Sequence, residues 1–138
     1  MGCINLKLFV LICFSWLSFT SISNAKSLLI KNENIWHELL QISLASKVSE
    51  ECPSIEARKI KGLFALLKIK SVAKELGYSD SEINEFVNNE ENKKKLKNET
   101  DIYLMNNEVD FNNANTVCLF GKREIDLETT IGSLLRIK

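Results

Sequence analysis

The sequence has few of the residues from which metal and redox sites are built. It contains one histidine and four cysteines among 138 residues, and no two cysteines have the C-x-x-C spacing. His37 does not begin an H-E-x-x-H zinc motif, because Gln41 stands where the second histidine would be needed. Asp110 and Asn112 start like a calcium loop, but the acid that would supply the bidentate ligand is missing. We therefore expect no metal and no cofactor.

An excess of basic residues is also missing. The chain has 18 basic and 18 acidic residues. Removal of residues 1–25 takes away Lys7 and no acid, which leaves a net charge of about −1. Proteins that bind nucleic acid normally carry a basic excess. The composition therefore predicts no nucleic-acid partner.

The N-terminal segment lacks the length of a membrane-spanning helix. Its apolar core covers residues 8 to 19, whereas a spanning helix needs about 20 apolar residues. Lys7 is its only charge, and Ser23-Asn24-Ala25 resembles a small-x-small cleavage site. Residues 1–25 are predicted to be a signal peptide cleaved after Ala25, with an uncleaved membrane anchor as the alternative. We expect a periplasmic or secreted protein with no stable membrane span after cleavage.

Two cysteines remain once the predicted signal peptide is removed. Cys3 and Cys13 lie within it, and Cys52 and Cys118 lie in a chain bound for an oxidising compartment. We predict that Cys52 and Cys118 form a disulfide. A redox-active or metal-binding thiol pair is the alternative, and neither the spacing nor the histidine content favours it.

Residues 26–33 read as an extended lead-in, and residues 34–138 as a single helical domain. Within it, residues 54–76 show two apolar stripes separated by lysines, which predicts a long central helix covered on two sides. Gly62 lies within the second stripe, where close approach of another helix or simple tolerance would explain it. One stripe contains Ile60, Leu63, Phe64 and Leu67, and the other Ile55, Ala65, Leu66, Ile69, Ala73 and Leu76.

Helix-capping residues place the other helices. Asn34 is expected to cap a first helix over residues 35–49, whose apolar face covers the central helix. Ser79 and Glu82 form a capping box for a short helix, and a charged fourth helix of moderate regularity follows. Asn115 is expected to cap the last helix.

A break in the last helix is expected near Glu128, where Thr129 is placed to cap a fresh turn. The sequence therefore predicts an all-α bundle of about five helices around residues 54–76, with one disulfide.

Glu124 falls inside the apolar arc of the last helix, where an unpaired carboxylate would be costly. Arg58 and Glu124 each lie six residues after a cysteine, about 9 Å of helical rise. We therefore predict a partly buried ion pair between Arg58 and Glu124 beneath the disulfide. The functional alternative is a carboxylate tuned by an arginine for acid–base chemistry.

Three groups of short motifs, spread over the chain from about Ile35 onward, carry a resemblance to known proteins. They are Cys52-Pro53 with Ile55 and Arg58; Gly77-Tyr78-Ser79 with Glu82-Ile83 and Phe86-Val87; and Cys118 with Gly121, Glu124-Ile125, Ile131-Gly132 and Leu134-Leu135-Arg136. In these motifs the chain resembles a family of small secreted alphaproteobacterial proteins of unknown function, DUF5333. The resemblance implies a periplasmic home, supports the pairing of the cysteines and suggests an envelope partner, but it supplies no activity. The chain departs from the pattern at Glu128, where a glycine is expected.

Three functions fit the sequence. We favour a non-catalytic accessory or protein-interaction module of the cell envelope with an envelope protein as partner, which predicts an exposed apolar patch containing Trp36, Tyr78 or Tyr103. The alternative is a small-ligand carrier, which predicts a cavity of a few hundred cubic ångströms lined by both stripes. An enzyme using Glu124 comes last, because no second catalytic group accompanies it.

Overall fold

The computed structural model describes residues 29–138, and this range forms six α-helices and one two-stranded sheet. The all-α class is confirmed, with one helix more than expected. The predicted signal peptide, residues 1–25, lies outside the described residues. In chain order the elements are α1 (Glu33–Glu51), β1 (Ile55–Ala57), α2 (Lys59–Glu75), α3 (Asp80–Asn88), α4 (Glu90–Asn106), α5 (Ala114–Asp126), α6 (Thr130–Ser133) and β2 (Leu135–Ile137).

The lead-in is not extended where the structure describes it. Leu29–Lys31 forms one 3₁₀ turn, and Leu29 is buried in a cluster that includes Ile69 and Tyr78. The first helix begins two residues earlier than expected, because Asn32 rather than Asn34 is the cap. The side-chain oxygen of Asn32 accepts a hydrogen bond from the backbone N–H of Ile35 at 3.0 Å.

The long central helix of the fold is α1. It contacts α2, α4, α5, α6 and β1. Its buried residues Gln41, Leu44, Ala45 and Val48 have the i, i+3, i+4, i+7 spacing of one helix face. Leu44 and Val48 are completely inaccessible to solvent, and they pack against Leu104 and residues of α5, α6 and β2 in the larger of two apolar clusters.

Residues 54–76 are therefore not the central helix, and they are not helical throughout. Ile55–Ala57 forms β1, which pairs antiparallel with β2, so that Ile55 lies opposite Ile137 and Ala57 opposite Leu135. The sequence pattern assigned Ile55 to a helix because a single buried residue in a three-residue strand fits the helical period as well as the strand period. Helix α2 begins only at Lys59 and lies at one side of the fold.

The predicted disulfide is confirmed. Cys52 follows the last residue of α1, Cys118 lies in α5, and their sulfur atoms are 2.03 Å apart. The bond thus joins the end of the central helix to α5 inside the larger cluster, where Cys52 is fully buried.

The predicted capping box of α3 is confirmed. The hydroxyl of Ser79 accepts from the N–H of Glu82, and the Glu82 carboxylate accepts from the N–H of Ser79 at 2.7 Å. Asn89 then ends α3 and caps α4, since its side chain accepts from the N–H of Asn92. Asn89 is thus the single residue that separates the two helices.

The predicted break after α5 is also confirmed, although Asn113 rather than Asn115 caps this helix. Glu128 has a φ of 51°, in the left-handed region that favours glycine. Thr129 caps the short α6, and its hydroxyl accepts from the N–H of Gly132 at 3.0 Å. A side chain at Gly132 would collide with the backbone of Glu124, so α5 and α6 pack at closest approach here.

Candidate functional site

Helix α2 is apolar on two opposite faces, and the rest of the protein covers only one of them. Ile69 and Ala73 on the inner face are 8% and 1% exposed, and they pack in the smaller apolar cluster beside Tyr78 and Ile83. At about 100° per residue, Ile60 lies half a turn away from Ile69, on the outer face.

The outer face carries a row of exposed apolar side chains, which we call the α2 ridge: Ile60, Leu63, Phe64 and Leu67. Their exposed fractions are 72%, 56%, 65% and 51%. Single exposed apolar residues are ordinary on protein surfaces, but a contiguous row of four large ones marks a site of interaction. The ridge is one of the two stripes that the sequence predicted to be covered.

A groove runs along each side of α2. One has a volume of about 280 Å³, and Leu63 and Leu66 of α2 line it opposite Ile42 and Ala45 of α1. The other has a volume of about 260 Å³ and contains Phe64 and Ala65. The side chain of Leu134 lines both grooves. The ridge therefore projects between two shallow depressions.

Gly62 lies at one of these grooves and is not a point of close helix approach. A Cβ atom at this position would meet nothing within 4 Å. The predicted contact with another helix is absent because the adjoining space is the open 280 Å³ groove.

The charge around the ridge is entirely positive within α2 until its last residue. Residues 58–74 contain six basic side chains and no acidic one. Lys70 and Lys74 each form an ion pair with Asp80 at 2.9 Å. Hydrogen bonds from Lys74, which has the larger effect, and from Lys70 lower the pKa of the Asp80 carboxyl below its ordinary value.

The other cations of this segment are free of such pairing within residues 29–138. Arg58, Lys59, Lys61 and Lys68 have no acidic group of the described chain within 4.0 Å. The first three line a cavity of about 540 Å³ at the start of α2, together with Ile60 of the ridge. Arg136 lies there as well and is paired with Glu56.

The predicted ion pair between Arg58 and Glu124 does not form. Glu124 is buried, accepts a hydrogen bond from the Thr129 hydroxyl at 2.7 Å and lies 3.4 Å from a guanidinium nitrogen of Arg123. Arg58 is exposed at the start of α2, and its backbone N–H donates to the carbonyl of Leu134 at 2.7 Å. The prediction failed because Cys52 ends α1 rather than beginning the helix that follows.

Glu124 consequently has a structural position. It joins α5 to the cap of α6 through Thr129 and lines none of the four cavities described for residues 29–138. No group of three or more metal-ligating side chains occurs in the part of the chain that the structure describes. His37 is exposed beside Gln41.

The three aromatic residues expected in an exposed patch lie elsewhere. Tyr78 is buried, and Trp36 packs edge-on against Phe86 beneath the ammonium group of Lys95. Tyr103 packs against a core phenylalanine of α5. The exposed patch is on α2 instead. Its pattern was visible in the sequence, but nothing in α2 itself distinguishes the covered stripe from the open one, since lysines flank both.

The described helices share one further property: none is both long and apolar enough to cross a membrane. Residues 29–138 thus define a small all-α protein with a disulfide between Cys52 and Cys118 and an exposed, lysine-flanked apolar helix face. The chain belongs to the family of unknown function DUF5333, whose model matches residues 27–136. No curated protein and no solved structure matches it.

Proposed function

We propose that this protein is an exported, non-catalytic accessory module of the cell envelope that works by docking through the α2 ridge. The observation that carries the proposal is the ridge itself, four large apolar side chains that are each more than half exposed. Exposure of such a row to water is unfavourable, and docking removes it from water.

Export is supported by two features of the sequence. The first 25 residues have the charge, the apolar core and the cleavage pattern of a secretory signal. The Cys52–Cys118 disulfide is typical of proteins that fold in an oxidising compartment. A periplasmic or secreted location follows from the proposal.

The docked component must complement both the shape and the charge of the face. The ridge needs an apolar environment. The cations Arg58, Lys59, Lys61 and Lys68, which form no ion pair within residues 29–138, favour a negatively charged one. The sequence predicts an envelope protein as the partner.

A small-ligand carrier is the second candidate, because both grooves beside α2 are lined by residues of both stripes, as that function requires. Their volumes of about 280 and 260 Å³ fall just below the range of about 300–1,000 Å³ usual for ligand pockets. Both are shallow, so a ligand would stay largely in water, and docking accounts better for the exposed ridge.

Site-specific photocrosslinking in cells tests the proposal. A photoreactive phenylalanine analogue replaces Phe64 in one variant and Leu119 in a matched control, since Leu119 is 67% exposed on α5 and lies outside the ridge. We expect adducts with an envelope component from position 64 and few from position 119. Adducts with protein and with lipid differ in mass, so the class of component is read directly. Equal yields at both positions, or adducts only with cytoplasmic proteins, would contradict the proposal.

A further inference from the structure

The α2 ridge is convex and has basic side chains on both sides. We propose that the ridge and the cations beside it form a docking surface for an anionic phospholipid membrane, an inference that rests on the proposed function. The protein then lies on the membrane surface with α2 along the interface.

The ridge points directly away from the body of the protein. Ile60 and Leu67 are on the side of α2 opposite to Ile69 and Ala73, the residues that pack inward. The ridge is therefore the part of α2 that a flat surface would touch first. Large aliphatic and aromatic side chains on an exposed helix face are those that enter the boundary between headgroups and acyl chains.

The free lysines stand at the level of the headgroups. At about 100° per residue, Lys61 and Lys68 lie about 80–100° to one side of Ile60, and Lys59 lies about as far to the other. When the ridge is inserted, their flexible stems place the ammonium groups beside the lipid phosphates. Each adds attraction to an anionic surface.

The cavity at the start of α2 adds room for a headgroup next to the ridge. Arg58, Lys59 and Lys61 line this space of about 540 Å³, and Ile60 connects it to the apolar row. Two acids lie near the surface: Glu56 is paired with Arg136, and Glu38 lines the groove that contains Lys61 and Lys68. The segment from residue 58 to 74 nevertheless carries six basic and no acidic side chains.

A lipid surface fits better than an acidic protein surface because the ridge is convex. It projects between two shallow grooves, so a rigid partner would need a matching concave site, whereas a fluid membrane yields to the projecting side chains. The local charge also orients the molecule: the described residues outside 58–74 contain 18 acidic and 10 basic side chains, which an anionic surface repels.

The test is binding of the purified full-length protein to vesicles. One set contains equal parts of phosphatidylglycerol and phosphatidylcholine, and the other phosphatidylcholine alone. Bound protein is measured by sedimentation at low and at high salt. We expect binding to the anionic vesicles, weakened by salt, and at least about tenfold weaker binding to the neutral ones.

Two ridge-region variants and two matched controls locate the surface. Phe64→Ser with Leu67→Ser removes half of the ridge, and Lys59→Glu with Lys61→Glu and Lys68→Glu reverses its flanks; each is expected to weaken binding at least about tenfold. Leu119→Ser, and the triple reversal Lys94→Glu, Lys97→Glu and Lys122→Glu, change equally exposed residues elsewhere and should bind within about twofold of wild type. All variants retain the N-terminal segment, so its own affinity for lipid is common to them.

Four results would overturn the inference. Equal binding to neutral vesicles would remove the role of charge, and equal losses in the control variants would remove the role of this face. Absence of wild-type binding together with a protein adduct from position 64 would refute the lipid surface and leave the proposed function standing. Absence of both binding and position-specific adducts would refute both.

Discussion

Single residues show most clearly where α2 is open and where the core is closed. Gly62 and Gly121 are both helical glycines, but a side chain at Gly62 would meet nothing within 4 Å, whereas one at Gly121 would lie 2.6 Å from Val48 and 2.7 Å from Ile55. Glycine is needed at the second position and only tolerated at the first.

We therefore expect opposite effects from the same substitution at these two glycines. Gly62→Ala should raise the free energy of unfolding by about 0.5–1 kcal/mol, because alanine is the better helix former. Gly121→Ala should lower it by about 1–2 kcal/mol, since overpacking against two fully buried side chains outweighs that gain. Urea unfolding of both variants measures the difference. A destabilised Gly62→Ala would show that another element approaches α2 here.

The backbone conformation at Glu128 favours glycine. Its φ of 51° is disfavoured for a side chain with a Cβ atom, and its own side chain is exposed. Glu128→Gly should stabilise the protein by about 1 kcal/mol in thermal or urea unfolding. Lys122→Gly, at an exposed position inside α5, is the control and should destabilise it by about the same amount. Destabilisation by both would contradict the strain at Glu128.

At the scale of elements, ion pairs hold the end of α2 against α3. Lys70 and Lys74 both bind Asp80 in the first turn of α3, and these contacts lower the pKa of its carboxyl. They also occupy two lysines of α2, so the cations that form no ion pair within residues 29–138 lie between Arg58 and Lys68, beside the ridge.

The two ion pairs of Asp80 stabilise the fold only while its carboxyl is ionised, so the free energy of unfolding falls at low pH. A carboxyl whose pKa is lower in the folded state stabilises that state above its ordinary pKa of 3.8, and the contribution is lost as the pH falls through the folded value. Asp80→Asn should therefore be less stable than wild type at pH 7, with a difference that begins to shrink as the pH falls towards about 4 and disappears only below the lowered pKa of the folded state. Urea midpoints across this range give the measurement.

The matched control is Glu85→Gln, which removes another exposed carboxylate of α3 that forms no ion pair within residues 29–138. Its urea midpoint at pH 7 should equal that of wild type, because no ion pair is lost. A constant difference between Asp80→Asn and wild type down to low pH would show that the asparagine acts through something other than charge.

Elements with their own sequence signals were predictable, and those that depend on distant partners were not. The capping box at Ser79 and Glu82 and the break at Thr129 follow from adjacent residues, and the structure has both. The strand at Ile55 exists because Leu135–Ile137, at the far end of the chain, pairs with it. Which stripe of α2 is covered likewise depends on where α1 lies. The sequence therefore revealed the apolar row of the ridge but not that this row is exposed.

At the scale of the whole molecule, the disulfide lies in one apolar cluster and the ridge helix is held mainly by the other. Cys52 belongs to the cluster of α1, α4, α5 and α6, whereas Ile69 and Ala73 of α2 pack beside Leu29 and Ile83. The covalent bond therefore secures the body of the protein, and non-covalent packing alone attaches the inner face of α2 to the second cluster.

Loss of the disulfide should weaken the fold as a whole. The bond joins residues 66 positions apart, and closure of such a loop stabilises the folded state by about 4 kcal/mol in the chain-entropy model. We expect the double variant Cys52→Ser with Cys118→Ser to unfold at a much lower urea concentration than the oxidised wild type. Reduction of the wild type should give a similar midpoint, which separates the bond from the effect of the serine side chains. A midpoint that neither change lowers would mean that packing alone holds α5 against the end of α1, and export to an oxidising compartment would then lose one of its two supports.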